Sequence, residues 1–458
     1  MSDFNPEEAR QKRFRYMTET PVPKLVMELS VPTIISMMVS GLYNMADTFF
    51  VGRISTQATA AVGVVFSVMA FIQAVGFFCG HGSGNYLSRM LGAGRMKEAN
   101  EMAATGFALA FLLGICLMAS GLLFLKPLSV LLGATPTILK DTQDYMRIIL
   151  IGAPFMCAEL VINNQLRFQG AAVYSMIGLV SGAVINIGLD PLLMFTFGMG
   201  VAGAALATII SQFIGFCILW IGSCRGANLR IRFSNIRFTR HYLLQIMNGG
   251  APSLFRQGLG SVSTIILNTT AGAVGGDAVI AAMSVVTRVM MLAISALIGF
   301  GQGFQPVCAF NYGAKLYERV HRAFIFCVKY GTVFLAAVSV PAILFAPQVI
   351  AFFRSDPEVI SVGTAALRFQ MLFFCLNAFS VMANMMLQSI GMGMRASILA
   401  SARSGLFFIP LILVLSPLLG IRGIEMTQMC ADIFTFIVSL PMTLPVLKNM
   451  KEQKQRPE

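Results

Sequence analysis

Twelve times between residues 25 and 447 the chain runs apolar for about twenty residues or more, the length a helix needs to cross a hydrocarbon core of about 30 Å. The runs fall near 25–50, 57–84, 99–123, 143–163, 171–195, 200–222, 242–268, 278–304, 321–346, 359–386, 395–416 and 423–447. Backbone groups find no water in lipid, so each run must satisfy its own N–H and C=O groups, and a helix does this. The runs are also far too long for the roughly ten-residue alternation of a membrane barrel. With 56% hydrophobic and only 12% charged residues, the chain lacks the polar material to coat a water-soluble particle of 458 residues. It is expected to be an all-α polytopic membrane protein.

The basic start Arg10, Lys12, Arg13, Arg15 and Lys24 leads into the first run without a small-residue cleavage pattern, so that span is expected to be retained. With the N-terminus placed in the cytoplasm, 24 of the 33 basic residues fall on the cytoplasmic side. They are the N-terminal set, Arg89, Arg95, Lys97, Arg167, Arg225, Arg230, Arg232, Arg237, Arg240, Lys315, Arg319, Arg322, Lys329, Arg395, Arg403, Lys448, Lys451, Lys454 and Arg456. The opposite side holds Arg53, Lys126, Lys140, Arg147, Arg354, Arg368 and Arg422, while Arg256 and Arg288 fall inside spans. Such a bias puts both termini in the cytoplasm of a cell (plasma or inner) membrane protein. It also accounts for the net charge of +13 without a nucleic-acid partner. The nine cysteines show no CxxC spacing and read as small hydrophobes, so no metal or resident cofactor is expected.

A shift of 220 positions lays one half on the other: Pro32 on Pro252, Ala61 on Ala281, Val65 on Val285, Arg95 on Lys315, Glu98 on Glu318, Asn164 on Asn384, Gly200 on Gly420 and Gly203 on Gly423. Six spans per half means that the second half starts on the same membrane side as the first. The expected architecture is therefore twelve transmembrane helices in two parallel six-helix repeats related by a pseudo-two-fold axis along the membrane normal. The divisions are a cytoplasmic N-terminal tail (1–24), an N-lobe (25–222), a cytoplasmic linker (223–241), a C-lobe (242–447) and a cytoplasmic C-terminal tail (448–458). Two lobes about such an axis enclose a cleft that rocking would open to alternate sides, so transport is the expected function.

A charge near mid-membrane costs about 3 kcal/mol, which makes each one a functional candidate. Asp47 and Asp190 both lie far along their spans in the first half, with Asn44 and Asn186 one helical turn before them on the same faces. Two carboxylates in weakly hydrated surroundings resist double ionisation, so the pair could share or exchange a proton, or hold a hard cation such as Na⁺. Proton coupling is the favoured expectation. Their offset partners, Leu267 and Pro410, carry no charge. The second half instead offers Arg256 and Gln257 in span 7, Arg288 in span 8 and Asp432 in span 12, where an ion pair between Asp432 and Arg256 or Arg288 is expected. Glu159 lies within reach of Arg167. The histidines His81, His241 and His321 look scattered near the membrane edge. Met37, Phe66, Met69, Met283, Met290, Phe373 and Met382 are candidates for a soft cleft wall that repacks around different lipophilic, often cationic ligands.

Four stretches then make a recognisable pattern: Tyr43-Asn44-Met45-Ala46-Asp47-Thr48-Phe49-Phe50-Val51-Gly52, Leu91-Gly92-Ala93-Gly94, Asn186-Ile187-Gly188-Leu189-Asp190-Pro191-Leu192, and Gly301-Gln302-Gly303-Phe304-Gln305-Pro306 followed by Asn311-Tyr312-Gly313-Ala314-Lys315. From about residue 24 to 447 the chain resembles the multidrug and toxic compound extrusion (MATE) family, most closely its bacterial DinF/MepA-like branch. The resemblance implies a twelve-helix antiporter in which entry of H⁺ or Na⁺ drives multidrug efflux. It carries coupling roles onto Asp47, Asp190 and Asn186, and matches Asp432 to an aspartate usual in span 12 of that branch. Sodium-coupled NorM-type relatives place carboxylates in spans 7 and 10, where this chain has Gln257 and Asn377 or Asn384. Glu425 stands where the branch often has tryptophan.

The rival readings are a Na⁺-coupled exporter, and a flippase for a lipid-linked precursor or other amphiphile, which would want a broad basic cleft. An enzyme would show a nucleophile, metal or phosphate motif, and no HExxH, GxSxG or Walker sequence occurs. The expected partners are small lipophilic or cationic substrates and membrane lipid, and the chain is expected to work as a monomer.

Overall fold

The computed structural model describes residues 6–226, 229 and 231–453, without the side chains of Pro6, Asn44, Met45, Thr48, Arg225 and Gln453. Arg230, Lys454 and Arg456 of the basic segments therefore lie outside the described residues, as do the side chains of Asn44 and Arg225. Among the described residues the regular structure is entirely helical: α1 (Pro6–Glu19), α2 (Val22–Gly52), α3 (Thr56–Gly92), α4 (Met96–Leu123), α5 (Leu125–Leu131), α6 (Leu139–Phe168), α7 (Ala172–Pro191), α8 (Gly200–Gly226), α9 (Arg240–Gly313), α10 (Tyr317–Leu344), α11 (Ala346–Phe353), α12 (Pro357–Leu372), α13 (Leu376–Ser389), α14 (Gly393–Ser401), α15 (Phe408–Leu419) and α16 (Ile421–Gln453). Turns of π-helix follow α7 at Leu192–Thr196 and join α14 to α15 at Ala402–Leu406.

Ten stretches are long and apolar enough to span a membrane, and α12 with α13, bent by 58° at a short break, make an eleventh. The bend interrupts the expected run 359–386. Counted once among the ten is α9, whose 74 residues would reach about 110 Å if straight. It is not straight. Gly276 has φ 65° and ψ −157°, a combination open in practice only to glycine, and the chain reverses there. Both ends of α9 accordingly return to one end of the molecule, where Ile246 abuts Gly82 and Gly313 abuts Arg89, both on α3. Gly276→Ala is expected to destabilise the protein by about 1–3 kcal/mol, read as a lower unfolding midpoint in detergent.

Local chemistry marks several helix starts. The Ser55 Oγ accepts from the Ala58 N–H at 2.9 Å, and Asp356 accepts from the Glu358 N–H at 2.9 Å with Pro357 in the first turn. Short helices α5 and α11 stand at matching places in the two halves of the chain. Two large apolar cores form: one draws on Val51 to Leu219, the other chiefly on the second half, with contributions from Met17, Leu25, Leu29 and Leu87.

The stretch expected as an N-terminal tail contains a packed helix. Met17 of α1 is fully buried. Arg13 donates to the Gly170 carbonyl at 3.1 Å, whereas Arg319 donates to the Thr20 carbonyl at 2.6 Å and Asn311 to that of Met17 at 3.2 Å. The segment thus touches both halves at one end. The Tyr16 hydroxyl donates to Glu28 at 2.8 Å; burial, and then this bond, raise its pKa, so it remains a donor. Lys24 pairs with Glu28 as well, at 3.9 Å.

Candidate functional site

A polar cluster lies among α2, α6, α7 and α8. Asp190, at the end of α7, is fully buried and its Oδ1 accepts from the Asn186 amide, one turn earlier, at 3.4 Å. Asp47 on α2 is within electrostatic range of Asp190. Tyr43 lies within range of both carboxylates and within hydrogen-bonding reach of Gln212, while Tyr145 reaches Thr208. Four acceptor oxygens here have no hydrogen-bond partner among the described residues: Asp47 Oδ1, Asp190 Oδ2, Asn186 Oδ1 and Gln212 Oε1. Acceptors buried without donors are costly, and together they present a place for a proton or a small cation. The residues after Asp190 form a π-turn, the kind of local expansion that Pro191, which has no N–H to donate, favours. No group of three or more His, Cys, Asp or Glu side chains suited to a metal ion occurs among the described residues.

The same cluster includes a carboxylate that spacing alone does not reveal. Glu159 of α6 is 5% exposed, faces Gly215 of α8 and lies within electrostatic range of Tyr43. The expected Glu159–Arg167 pairing is not formed. Arg167, two turns further along α6, points the other way, toward the second half of the chain.

In the second half Asp432 of α16 is saturated with donors. Its Oδ1 accepts from Arg403 Nε at 2.9 Å and from Gln428 at 2.8 Å, and its Oδ2 from Asn377 at 2.6 Å. The expected partners, Arg256 and Arg288, are not the ones found. Arg403, counted on the cytoplasmic side, sits about 15 Å along the helix from the start of α14 at Gly393, in the π-turn. Arg288 is exposed; Arg256 is partly buried and within electrostatic range of Arg167 and His81. Gln257 is half-buried, and Glu425 is buried with Arg422 in electrostatic range.

The candidate wall residues divide. Met69 lies in the apolar core of the first half, and Met283, Met290 and Met382 in that of the second, whereas Phe66 and Phe373 are exposed and Met37 is half-buried. In this conformation only the last three offer surface to a ligand.

The two halves meet through a buried polar seam near the end that carries α1. Arg167 donates to Gln302 of α9 at 2.7 Å, to His81 Nε2 of α3 at 3.2 Å and to Asn164. His81 Nδ1 is 3.1 Å from Ser253 of α9, whose hydroxyl also accepts from Gln388 of α13 at 2.9 Å. Arg89 of α3 donates to the Ser389 carbonyl at 2.7 Å, and Tyr242 of α9 to Glu101 of α4 at 2.5 Å. His81 is thus buried at the joint between the two halves rather than isolated. The glycines on either side of it, Gly80 and Gly82, were the available signal: a Cβ at Gly82 would strike the Ile246 carbonyl.

The model of the MatE family matches residues 32–192 and matches again at 252–414, the two starting points lying 220 positions apart. The multidrug export protein MepA of Staphylococcus haemolyticus is 26% identical over 437 residues, 94% of this chain and 96% of its own length. That of Staphylococcus saprophyticus is 26% identical over 427 residues, 92% of this chain and 94% of its own. Among solved structures, an outward-facing conformation of a multidrug resistance MATE family transporter of the MOP superfamily superposes with a TM-score of 0.89 at 28% identity, covering 96% of this chain and 98% of that one. A MATE in the bent conformation gives 0.91 at 27% identity, covering 97% and 99%.

Proposed function

The chain belongs to the MatE family, whose members are membrane transporters and not enzymes, and from that membership we propose that it is a proton-coupled multidrug antiporter. Twelve spans, six in each half with both termini in the cytoplasm, form two lobes that rock about a central cleft. The repeat offset of 220, met in the sequence and again in the doubled family match, supports this arrangement. The basic bias supports the orientation, although Arg89 and Arg167 are buried between the halves and Arg403 pairs with the buried Asp432, so these three drop from that count.

The observation that carries the coupling is the pair Asp47 and Asp190. They are mutually within electrostatic range inside one lobe, next to Asn186, and each has an oxygen without a donor. Two such carboxylates cannot both stay ionised cheaply, so a proton entering from outside occupies the cluster and its departure to the cytoplasm resets it. The exported compound is lipophilic and often cationic, a class suited to the exposed Phe66 and Phe373, and the MepA relatives are named multidrug export proteins.

The test is efflux from proteoliposomes holding a cationic dye. An imposed pH gradient should drive efflux of cationic dyes and leave anionic compounds and lipid precursors behind. A Na⁺ gradient alone should drive none; export under Na⁺ without a pH gradient would overturn the proton assignment, and movement of the lipid precursor alone would favour the flippase.

A further inference from the structure

The seam contains a buried histidine that the coupling cluster does not use. Arginine has no acceptor, so every atom facing the Arg167 guanidinium must present a lone pair. Gln302 Oε1 and Asn164 Oδ1 do so, and His81 Nε2, at 3.2 Å, must too. That fixes the tautomer: the proton sits on Nδ1 and is donated to Ser253 Oγ at 3.1 Å. The chain continues through Gln388 Nε2, 2.9 Å from the same oxygen and 2.6 Å from the Gly249 carbonyl, and through Gln305 Nε2, which donates to Gln388 Oε1 at 3.1 Å. His81 and Arg167 belong to the first half, while Ser253, Gln302, Gln305 and Gln388 belong to the second. The His81 link across the joint is therefore made only if His81 is neutral.

The charged groups facing His81 are Arg167 from α6 and Arg256 from α9; α13 presents the neutral amide Gln388. The rings of Phe77 and Phe168 cover the imidazole. A proton on Nε2 would turn its acceptor into a donor aimed at a donor and place two positive charges in contact. We propose that His81 is a proton-responsive gate residue: protonation from the cytoplasmic side is compatible only with parted lobes, so acid on that side shifts the transporter toward the inward-open state. Because the proton binds the parted arrangement and not the joined one, linkage alone supplies the shift. The inference rests on the orientation and rocking motion proposed above. It adds to them a second titrating position, at the seam and separate from the Asp47–Asp190 cluster.

The experiment uses the full chain in nanodiscs, with neither substrate nor gradient. Spin labels replace Lys97 at the start of α4 and Met394 at the start of α14, both exposed and on opposite halves. Asp47, Asp190 and Glu159 are changed to their amides so that they cannot titrate. From about pH 8 to about pH 5, spanning the ordinary titration of imidazole, the long-distance population should rise about tenfold or more. His81→Gln, which keeps a neutral acceptor for Arg167, should abolish the rise. A distance distribution that ignores pH, or a rise that survives His81→Gln, would overturn the proposal. Should the quadruple variant not fold, the wild-type chain still answers. It has three histidines, so nitrogen-15 labelling of histidine reads His81 directly, with His241 and His321 assigned by substitution. The Nδ1–H tautomer at high pH, and imidazolium appearing together with the long distance, support the gate; opening with His81 still neutral refutes it. These readings need no transport, so they can fail while proton-driven efflux stands, and the reverse.

Discussion

Asp190→Asn should remove pH-gradient-driven efflux altogether, down to the rate of empty vesicles, and at the same time raise the unfolding midpoint. The two effects have one cause. The Asp190 carboxylate is fully buried, one oxygen has only the Asn186 amide at 3.4 Å and the other has no donor among the described residues. Ionised, it is poorly solvated; protonated, it is tolerated. Asparagine has the shape of the protonated acid and cannot release the proton, so the cycle of proton uptake and release that drives turnover is broken. Relieving the unsatisfied charge should add about 0.5–2 kcal/mol, as removal of a destabilised functional group commonly does. Asp47→Asn should show the same loss of coupling with less gain in stability, since Asp47 is only partly buried. Dye efflux, dye binding and thermal unfolding on the same preparation separate the possibilities. Retained binding without transport is the expected result, and retained pH-driven transport in both variants would remove Asp47 and Asp190 from the mechanism.

What could be foreseen from the residues follows from how far each interaction reaches. A span is a local property, because twenty apolar residues suffice to define it, and the observed helices match the expected runs to within a few residues apart from the longer ends of α3, α6, α9 and α16. Asp47 and Asp190 were legible for the same reason: a carboxylate in an apolar run is conspicuous alone. The bend between α12 and α13 was not, since Phe373, Phe374 and Cys375 carry no glycine or proline to mark it. Nor was α1, which is rich in charge and held by contacts with residues far along the chain. The methionines show a further limit. In a membrane protein the lipid-facing and core-facing sides of a helix are equally apolar, so periodicity could not tell Met69 and Met382, which are buried, from Phe66, which is exposed. Pairings across more than a hundred residues, such as His81 with Ser253, depend on the rotation of whole helices and leave only the indirect trace of flanking glycines.

Arg403 and Asp432 show how a mid-membrane pair can be structural, and the expected energetics follow from counting donors. Asp432 accepts from Arg403, Gln428 and Asn377, so it has no open oxygen waiting for an ion, in contrast to the first-half cluster. Arg403→Leu leaves a buried carboxylate with two neutral amides and should lower stability by about 3–5 kcal/mol, the usual effect of stranding one member of a buried pair. Asp432→Leu should be comparably harmful. The double replacement should recover much of the loss, because two apolar side chains need no desolvation, and the coupling energy from the double-mutant cycle then measures the pair itself. Thermal unfolding of the three variants in detergent decides this, and proton-driven efflux of the double variant decides the role. If the pair only braces α16 against α13 and the π-turn, transport should persist in the double variant once the fold is restored; if transport is lost while stability returns, Asp432 takes part in turnover and the second lobe carries its own coupling chemistry.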